Sequence, residues 1–291
     1  MEHMRPWLLE TLLAPVAHCP PALRAPLAAG GLAALDRVMP EWRHMARRNL
    51  TRAGFSGVER ILSECYGHYR RGLSFLLWQH TLDRRQVERL VRVEGAGHIR
   101  RRRGRGTVFV TAHFGNWELG AFAVGMLVGP LLAPVQRSGY PALDAMLDRN
   151  RSGSGNRVID RRGAAAEMLA HLRRGGDVGL LIDARPDGEA GIGMEFLSLP
   201  GMVGTTAARL RRATGADVVC VHMPWSEAEG RYVLRFDPAP ALSGDVAGDT
   251  RALVGHFDGI IRRDPGQYLW IYDRWADPKP AAPRLGAGGV A

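Results

Sequence analysis

The chain of 291 residues contains one lysine, Lys279, so arginine carries nearly all of a Lys+Arg total of 39 set against 29 Asp+Glu, for a formal charge of +10. Arginine's planar fork suits bidentate phosphate contacts. A surface of this charge fits nucleic acid, an acidic carrier protein or phospholipid headgroups, and composition alone leaves those three open. Cysteine is also scarce. Cys19, Cys65 and Cys220 are widely spaced, with no CxxC pair and no nearby histidine cluster, which argues against a disulfide framework or a zinc site and for plain buried thiols. Uninterrupted apolar runs of about 20 residues, the length a spanning helix needs, are missing too. The apolar N-terminal stretch is broken by Pro15, Pro20, Pro21 and Pro26 and carries Glu10 and Arg24, while the run from 119 to 135 is broken by glycines, Pro130 and Pro134. The first reads as short helices on a membrane surface or a helical lid, and the second as a buried helix and strand. There is no GxSxG nucleophile elbow and no internal repeat.

What the chain does have is the ordinary globular mix of 46% hydrophobic and 23% charged residues, enough for a substantial core. From about 40 to 92 the apolar residues recur at three and four spacing, a helical pattern running through "VERILSECYGHYRRGLSFLLWQH" and "DRRQVERLVRV". "GAGHIRRRRGRG" then breaks the period; it fits a solvated loop as well as an RG-type nucleic-acid contact, and has no interleaved aromatics. Beyond it apolar strands ("TVFVTAH", "LLAPVQR", "DVGLLIDA", "DVVCVHM", "RYVLRFD") alternate with helical stretches. That order predicts an α/β fold: a mostly parallel central sheet flanked by helices, after an N-terminal helical region. The divisions expected are 1–94 as a helical, membrane-facing cap, 95–277 as the α/β core and the Pro/Gly-rich 278–291 as a flexible tail.

One corner carries the chemistry. "VTAHFGNWELG" (110–120) runs from a buried strand through His113, turns at Gly115 and Asn116, and restarts as a helix bearing Glu118. Ligands of open parallel sheets sit at the carboxyl ends of the strands, where His113 falls. A carboxylate on one ring nitrogen leaves the other as a base for a substrate hydroxyl, and backbone N–H groups near the corner offer an oxyanion site. The spacing itself has little force: a second His-x4-Glu pair, His222 and Glu227, lacks a following helix and reads as coincidence. A purely structural His113 stays nearly as open as a catalytic one on these grounds.

"TAHFGNWELG" resembles the signature block of the lysophospholipid acyltransferase superfamily, and in particular its lipid A biosynthesis late acyltransferases, the lauroyl and myristoyl transferases. Further blocks resemble that family in order: "RRNL" (47–50), "VQRSGYPALDAMLDRNRSGSG" (135–155), "LLIDARPDG" (180–188), "FLSLPGMVGTTAARLRRATGA" (196–216) and "DPGQYLWIYDRW" (264–275). The resemblance spans roughly residues 40–277 and implies a glycerolipid-acyltransferase-like fold. It also implies transfer of a fatty acyl group from acyl carrier protein or coenzyme A to a lipid hydroxyl, at the cytoplasmic face of the inner membrane. On it, His113 is the base and Glu118 its partner; Asn116, Gln136, Arg137, Arg151, Asp183 and Arg274 are substrate-binding. No metal, no cofactor beyond the acyl thioester and no nucleic-acid partner are expected, while an anionic membrane surface is. Two blocks depart from the family. Ala184 stands where a glutamine is usual, and Tyr272 and Asp273 precede Arg274 and Trp275 in place of a more basic pair. Both departures touch the acceptor side, which leaves open a lipid A precursor, another glycolipid, and a different phospholipid or aminolipid; a non-catalytic basic membrane-binding protein is the reading outside the enzyme class.

Overall fold

The computed structural model describes residues 19–76, 78–100, 104–186 and 191–275; the expected tail (278–291), the first 18 residues and the middle of the arginine run lie outside the described residues. Three helices come first: α1 (Pro21–Val38), α2 (Pro40–Arg52) and α3 (Val58–Leu76), with α1 lying along α3. α1 continues through Pro26. A short helix α4 (Arg84–Leu90) follows, opened by a capping box in which Asp83 accepts from the Gln86 N–H and the Gln86 side chain accepts from the Asp83 N–H.

The sheet then alternates with helices: β1 (Val91–Glu94), β2 (Thr107–Thr111), α5 (Trp117–Leu127), β3 (Leu131–Val135), α6 (Pro141–Ser152), β4 (Arg157–Asp160), α7 (Ala164–Arg173) and β5 (Asp177–Leu181). A hairpin of β6 (Gly191–Phe196) and β7 (Leu199–Gly204) stands apart, before α8 (Thr206–Thr214), β8 (Asp217–His222), β9 (Trp225–Ser226), β10 (Arg231–Pro238) and α9 (Val246–Arg263). The strand order is β1-β10-β8-β2-β5-β3-β4, with β9 on β10. Every pair from β8 to β4 is parallel; β10 runs antiparallel to β8 and takes β1 parallel to itself.

Both faces are buried, which is why the strands read as near-continuous apolar runs. Because strand side chains alternate, Val108 and Val110 of β2 join the core beneath α7, α8 and α9 with Leu180, Met168, Leu210 and Phe257. Phe109, between them, joins the opposite core with Phe122 of α5, Val221 and Leu234.

One expectation changes, and the structure adds elements to which the sequence pattern gave no assignment. "VRV", the end of a predicted helix, forms edge strand β1 on β10, so the sheet starts inside the segment expected as cap. β4 was not expected as a strand, and the "FLSLPGMVG" block is a hairpin whose turn residues Leu197 and Ser198 both have positive φ. The Leu197 N–H is held by Asp258 and the Ser198 hydroxyl accepts from Arg262, so α9 clamps that turn. Cys65 and Cys220 are buried as expected, whereas Cys19 is half-buried. Among the described residues no helix is long and apolar enough to cross a membrane, and residues 119–135 are α5 and β3.

Candidate active site

Immediately past β2 the chain makes a tight corner. The Phe114 N–H turns back to the Ala112 carbonyl, the Gly115 N–H goes to the Gln267 carbonyl, and the Asn116 N–H to the Met223 carbonyl. Gly115 has φ +64°, and a side chain there would meet the Met223 carbonyl oxygen, so only glycine fits. Asn116 is the N-cap of α5; its side chain accepts from the Leu119 N–H at 3.1 Å and it is buried. Asn116, expected to bind substrate, therefore has a structural task. The amides of 114–116 are spent as well, which removes them as an oxyanion site.

The ring of His113 remains reachable, its side chain 20% exposed, with Trp117 edge-on at 5.1 Å between ring centres. Its Nδ1 pairs with Asp183 Oδ1 at 2.9 Å, and its backbone N–H donates to Asp183 Oδ2 at 3.0 Å. Strand register explains the pairing. β2 and β5 are adjacent and parallel with Thr111 opposite Leu181, and the Ile182 N–H continues the ladder to the Thr111 carbonyl. Residues 113 and 183, each two past that pair, end up side by side.

Glu118 is placed differently from the sequence-based expectation. Its carboxylate is taken bidentately by Arg151 of α6, at 3.0 Å from Nε and 2.6 Å from Nη2. The carboxylate that orients the His113 ring is thus Asp183, because the first turn of α5 carries Glu118 toward the end of α6 while β5 delivers Asp183 to Nδ1. Burial alone pushes the Glu118 pKa up, but Arg151, with a smaller share from His113, outweighs it and holds the group below the usual carboxylate range. Glu118 therefore stays ionised and within electrostatic reach of His113.

Asp183, 1% exposed, is likewise penalised by burial, yet Arg274 and His113 hold its pKa well below the ordinary value. The segment after α9 supplies this environment. The Leu269 N–H donates to the His113 carbonyl, and the Gln267 side chain both accepts from and donates to the Trp225 backbone. The Tyr268 hydroxyl donates to Asp183 Oδ2 at 3.0 Å. Arg274 Nη2 stands 3.1 Å from the same oxygen, out of line for a hydrogen bond, so that contact is electrostatic. The Arg274 guanidinium is buried against the rings of Tyr268, Tyr272 and Phe196. Sequence reading missed Tyr268, although "DPGQYLWIYDRW" carries it; nothing in the spacing told that this segment lies against the β2 corner.

Of the residues singled out by sequence, the structure gathers His113, Glu118, Arg151, Asp183 and Arg274. Gln136 is exposed beyond β3, and Arg137 pairs with Asp148 at 2.6 Å, neither in contact with that group. The other His-x4-Glu pair is no pair: His222 is buried with Nδ1 3.5 Å from Asp237, while Glu227 is exposed and lies 3.6 Å from Arg71. Burial raises the Cys65 and Cys220 thiols to about 12, which makes them poor nucleophiles. Among the described residues no group of three His, Cys, Asp or Glu side chains is arranged to hold a metal.

The sequence that builds this geometry, a reachable imidazole oriented by a buried carboxylate at the end of a parallel strand, is similar to several known proteins. The chain is 26% identical over 218 residues to a phosphatidylinositol mannoside acyltransferase of Mycobacterium tuberculosis, covering 73% of this chain and 68% of that protein. It is 25% identical over 175 residues to the phosphatidylinositol mannoside acyltransferase of Mycolicibacterium smegmatis, covering 59% and 57%. With a lipid A biosynthesis acyltransferase of Haemophilus influenzae it shares 25% identity over 188 residues, covering 61% and 56%. Residues 2–277 match the family described as bacterial lipid A biosynthesis acyltransferase, and the chain belongs to that family of acyltransferases.

Proposed function

We propose that this acyltransferase moves a fatty acyl group from a thioester, on acyl carrier protein or coenzyme A, to a sugar hydroxyl of an anionic glycolipid, with His113 as general base. The observation that carries this reading is the His113–Asp183 pair. With its proton on Nδ1 shared with Asp183, the ring presents Nε2 as a lone pair at a partly exposed position. Nε2 takes the acceptor hydroxyl proton as the oxygen attacks the thioester carbonyl. The tetrahedral oxyanion then collapses, the C–S bond breaks, and the departing thiolate takes the proton back from Nε2. Asp183 and the ionised Glu118 stabilise the transient imidazolium, the first by contact and the second through space. Transfer is direct, without an acyl-enzyme, in keeping with the high pKa of the two buried cysteines.

The acceptor class rests on the relatives, which are named for phosphatidylinositol mannoside and for lipid A biosynthesis, both concerned with anionic glycolipids. The net charge of +10 supports peripheral attachment to an anionic membrane surface, with the cytoplasmic face of the inner membrane as the location. The test is incubation of the purified full chain with acyl-CoA or acyl carrier protein thioester and dispersed phosphatidylinositol mannoside or lipid A precursor. Mass spectrometry of the lipids should show the gain of one acyl group, absent with His113→Ala. No mass gain on either acceptor with either donor overturns the reading.

A further inference from the structure

Asp183 is asked to do more than orient a ring. Its Oδ1 pairs with His113 Nδ1, whereas Oδ2 accepts from the His113 N–H and from the Tyr268 hydroxyl at 3.0 Å, with the Arg274 guanidinium 3.1 Å away as an ion-pair partner. The Tyr268 and Arg274 side chains are buried, and both meet this carboxylate. Tyr268 is itself pinned: its ring meets Trp270 edge-on at 5.0 Å, and its carbonyl accepts from the Tyr69 hydroxyl of α3 at 2.7 Å. A hydroxyl fixed so firmly on one carboxylate oxygen does not rotate away as the ring of His113 gains and loses its proton.

We propose that Tyr268 and Arg274 are positioning residues of the transfer reaction, which divide the Asp183 charge and so limit how far that carboxylate stabilises a His113 imidazolium. This rests on the reading of His113 as the base. The physical argument concerns competition for one negative charge. A carboxylate that already serves a hydroxyl and a guanidinium stabilises an imidazolium less than an unshared one, and the Arg274 cation also opposes a second positive charge nearby. Among the described residues, the charged and titratable groups gathered at the ring are Asp183 beyond β5, Glu118 on α5 with Arg151 of α6 behind it, and Tyr268 and Arg274 on the C-terminal segment. Glu118, held by Arg151, pulls the other way. Removing either positioning group tips the balance toward the protonated ring, which cannot accept the acceptor's proton.

The decisive comparison is the pH profile of kcat/KM for wild type and Tyr268→Phe, with acyl-CoA as donor and whichever of phosphatidylinositol mannoside and lipid A precursor the wild type acylates. Tyr268→Phe keeps the ring packing and deletes only the hydroxyl. Its acid limb should move to higher pH by about one unit, with the acceptor KM little changed. Arg274→Gln should move the limb in the same direction and at least as far. In parallel, 15N NMR of the His113 ring in the full chain, assigned by its loss in His113→Gln, follows ring protonation without any substrate. A limb and an NMR midpoint unmoved in folded Tyr268→Phe and Arg274→Gln overturn the proposal. If Tyr268→Phe does not fold, Arg274→Gln decides by the same readings, and 3-fluorotyrosine at position 268, a stronger donor to Asp183, should move the limb and the NMR midpoint to lower pH. A wild type inactive on both acceptors counts against the functional reading alone, because the NMR titration still decides between a shared and an unshared carboxylate.

Discussion

Two strands of one sheet, β2 and β8, end near a histidine followed five positions later by a glutamate, and each histidine has an aspartate as its neighbour. At the β2 end, α5 follows directly, the ring stays partly open, and Asp183 holds Nδ1 in line at 2.9 Å. At the β8 end, Pro224 and β9 follow, the ring is packed against Phe114 and only 6% exposed, and Asp237 stands off at 3.5 Å. Asp237 is moreover shared with His256 at 3.1 Å. Burial dominates there and lowers the His222 pKa to about 4. The difference teaches that spacing makes neither corner a site. What counts is whether the element after the strand leaves the ring open and whether an adjacent strand delivers a carboxylate to it.

The comparison breaks hardest on the histidines themselves. His113→Ala should reduce initial acyl-transfer rates by about 10³-fold or more, the combined loss of a positioned base and of its orienting network. His222→Gln should leave the rate at neutral pH within about twofold, since the His222 ring packs against Phe114 and Asp237 and has no contact with the transferring proton. Equal losses in both variants, each checked for folding by circular dichroism, would dissolve the distinction between the corners.

Next come the aspartates. Asp183→Asn replaces an acceptor by an amide whose NH2 can face the ring, reversing the polarity of the pair, and should cost about 10² to 10⁴-fold in kcat with the fold retained. The corresponding Asp237→Asn should leave kcat unchanged. Glu118→Gln sharpens the same contrast by separating orientation from electrostatics: it should lower kcat less than Asp183→Asn does. It also leaves the largely buried Arg151 charge unpaired, for a loss of about 3 kcal/mol by denaturant unfolding. Glu118→Gln combined with Arg151→Met should recover part of that stability, as a double-mutant cycle would show.

These contrasts mark where sequence reading succeeded. The α/β class and the parallel core were legible because strands buried on both faces must be apolar throughout, as "TVFVTAH" and "DVVCVHM" are. The place of His113 was legible because a strand running into an ionisable residue before a helix points to the sheet's carboxyl edge. The partner of His113 was not. Glu118 is close in sequence and Asp183 is 70 residues away, and only the adjacency of β2 and β5, with Thr111 opposite Leu181, brings the latter to the ring. Periodicity carries no information on which parallel strands are neighbours. Tyr268 was hidden for the same reason, and β1 was misread because "VERLVRV" satisfies a helical period until pairing with β10 claims its last residues. Glu118 itself is a local choice overridden by a tertiary one, since Arg151 reaches it from a helix that the motif does not include.

The smallest effect lies at the second corner and appears only in acid. His222 has a folded pKa near 4, below the ordinary histidine value of about 6.5, because burial penalises its charged form. Above pH 6.5 the ring is neutral in both folded and unfolded chains and has no influence on the pH dependence of stability. Between about 6.5 and 4 the unfolded chain binds a proton that the folded chain refuses, so the stability associated with a neutral His222 is lost progressively as the pH falls, by an amount on the order of a few kcal/mol. His222→Gln should therefore flatten the urea-unfolding stability curve in that window while leaving its value at pH 7.5 nearly unchanged. Asp183 and Glu118, whose folded pKa values lie below those of ordinary carboxylates, contribute stability present above about pH 4 and lost only as the pH drops through their folded values. A stability loss confined to pH below 4 in the wild type would assign acid lability to the β2 corner and remove His222 from it; a loss already under way at pH 5.5, abolished in His222→Gln, assigns it to the buried ring at the end of β8.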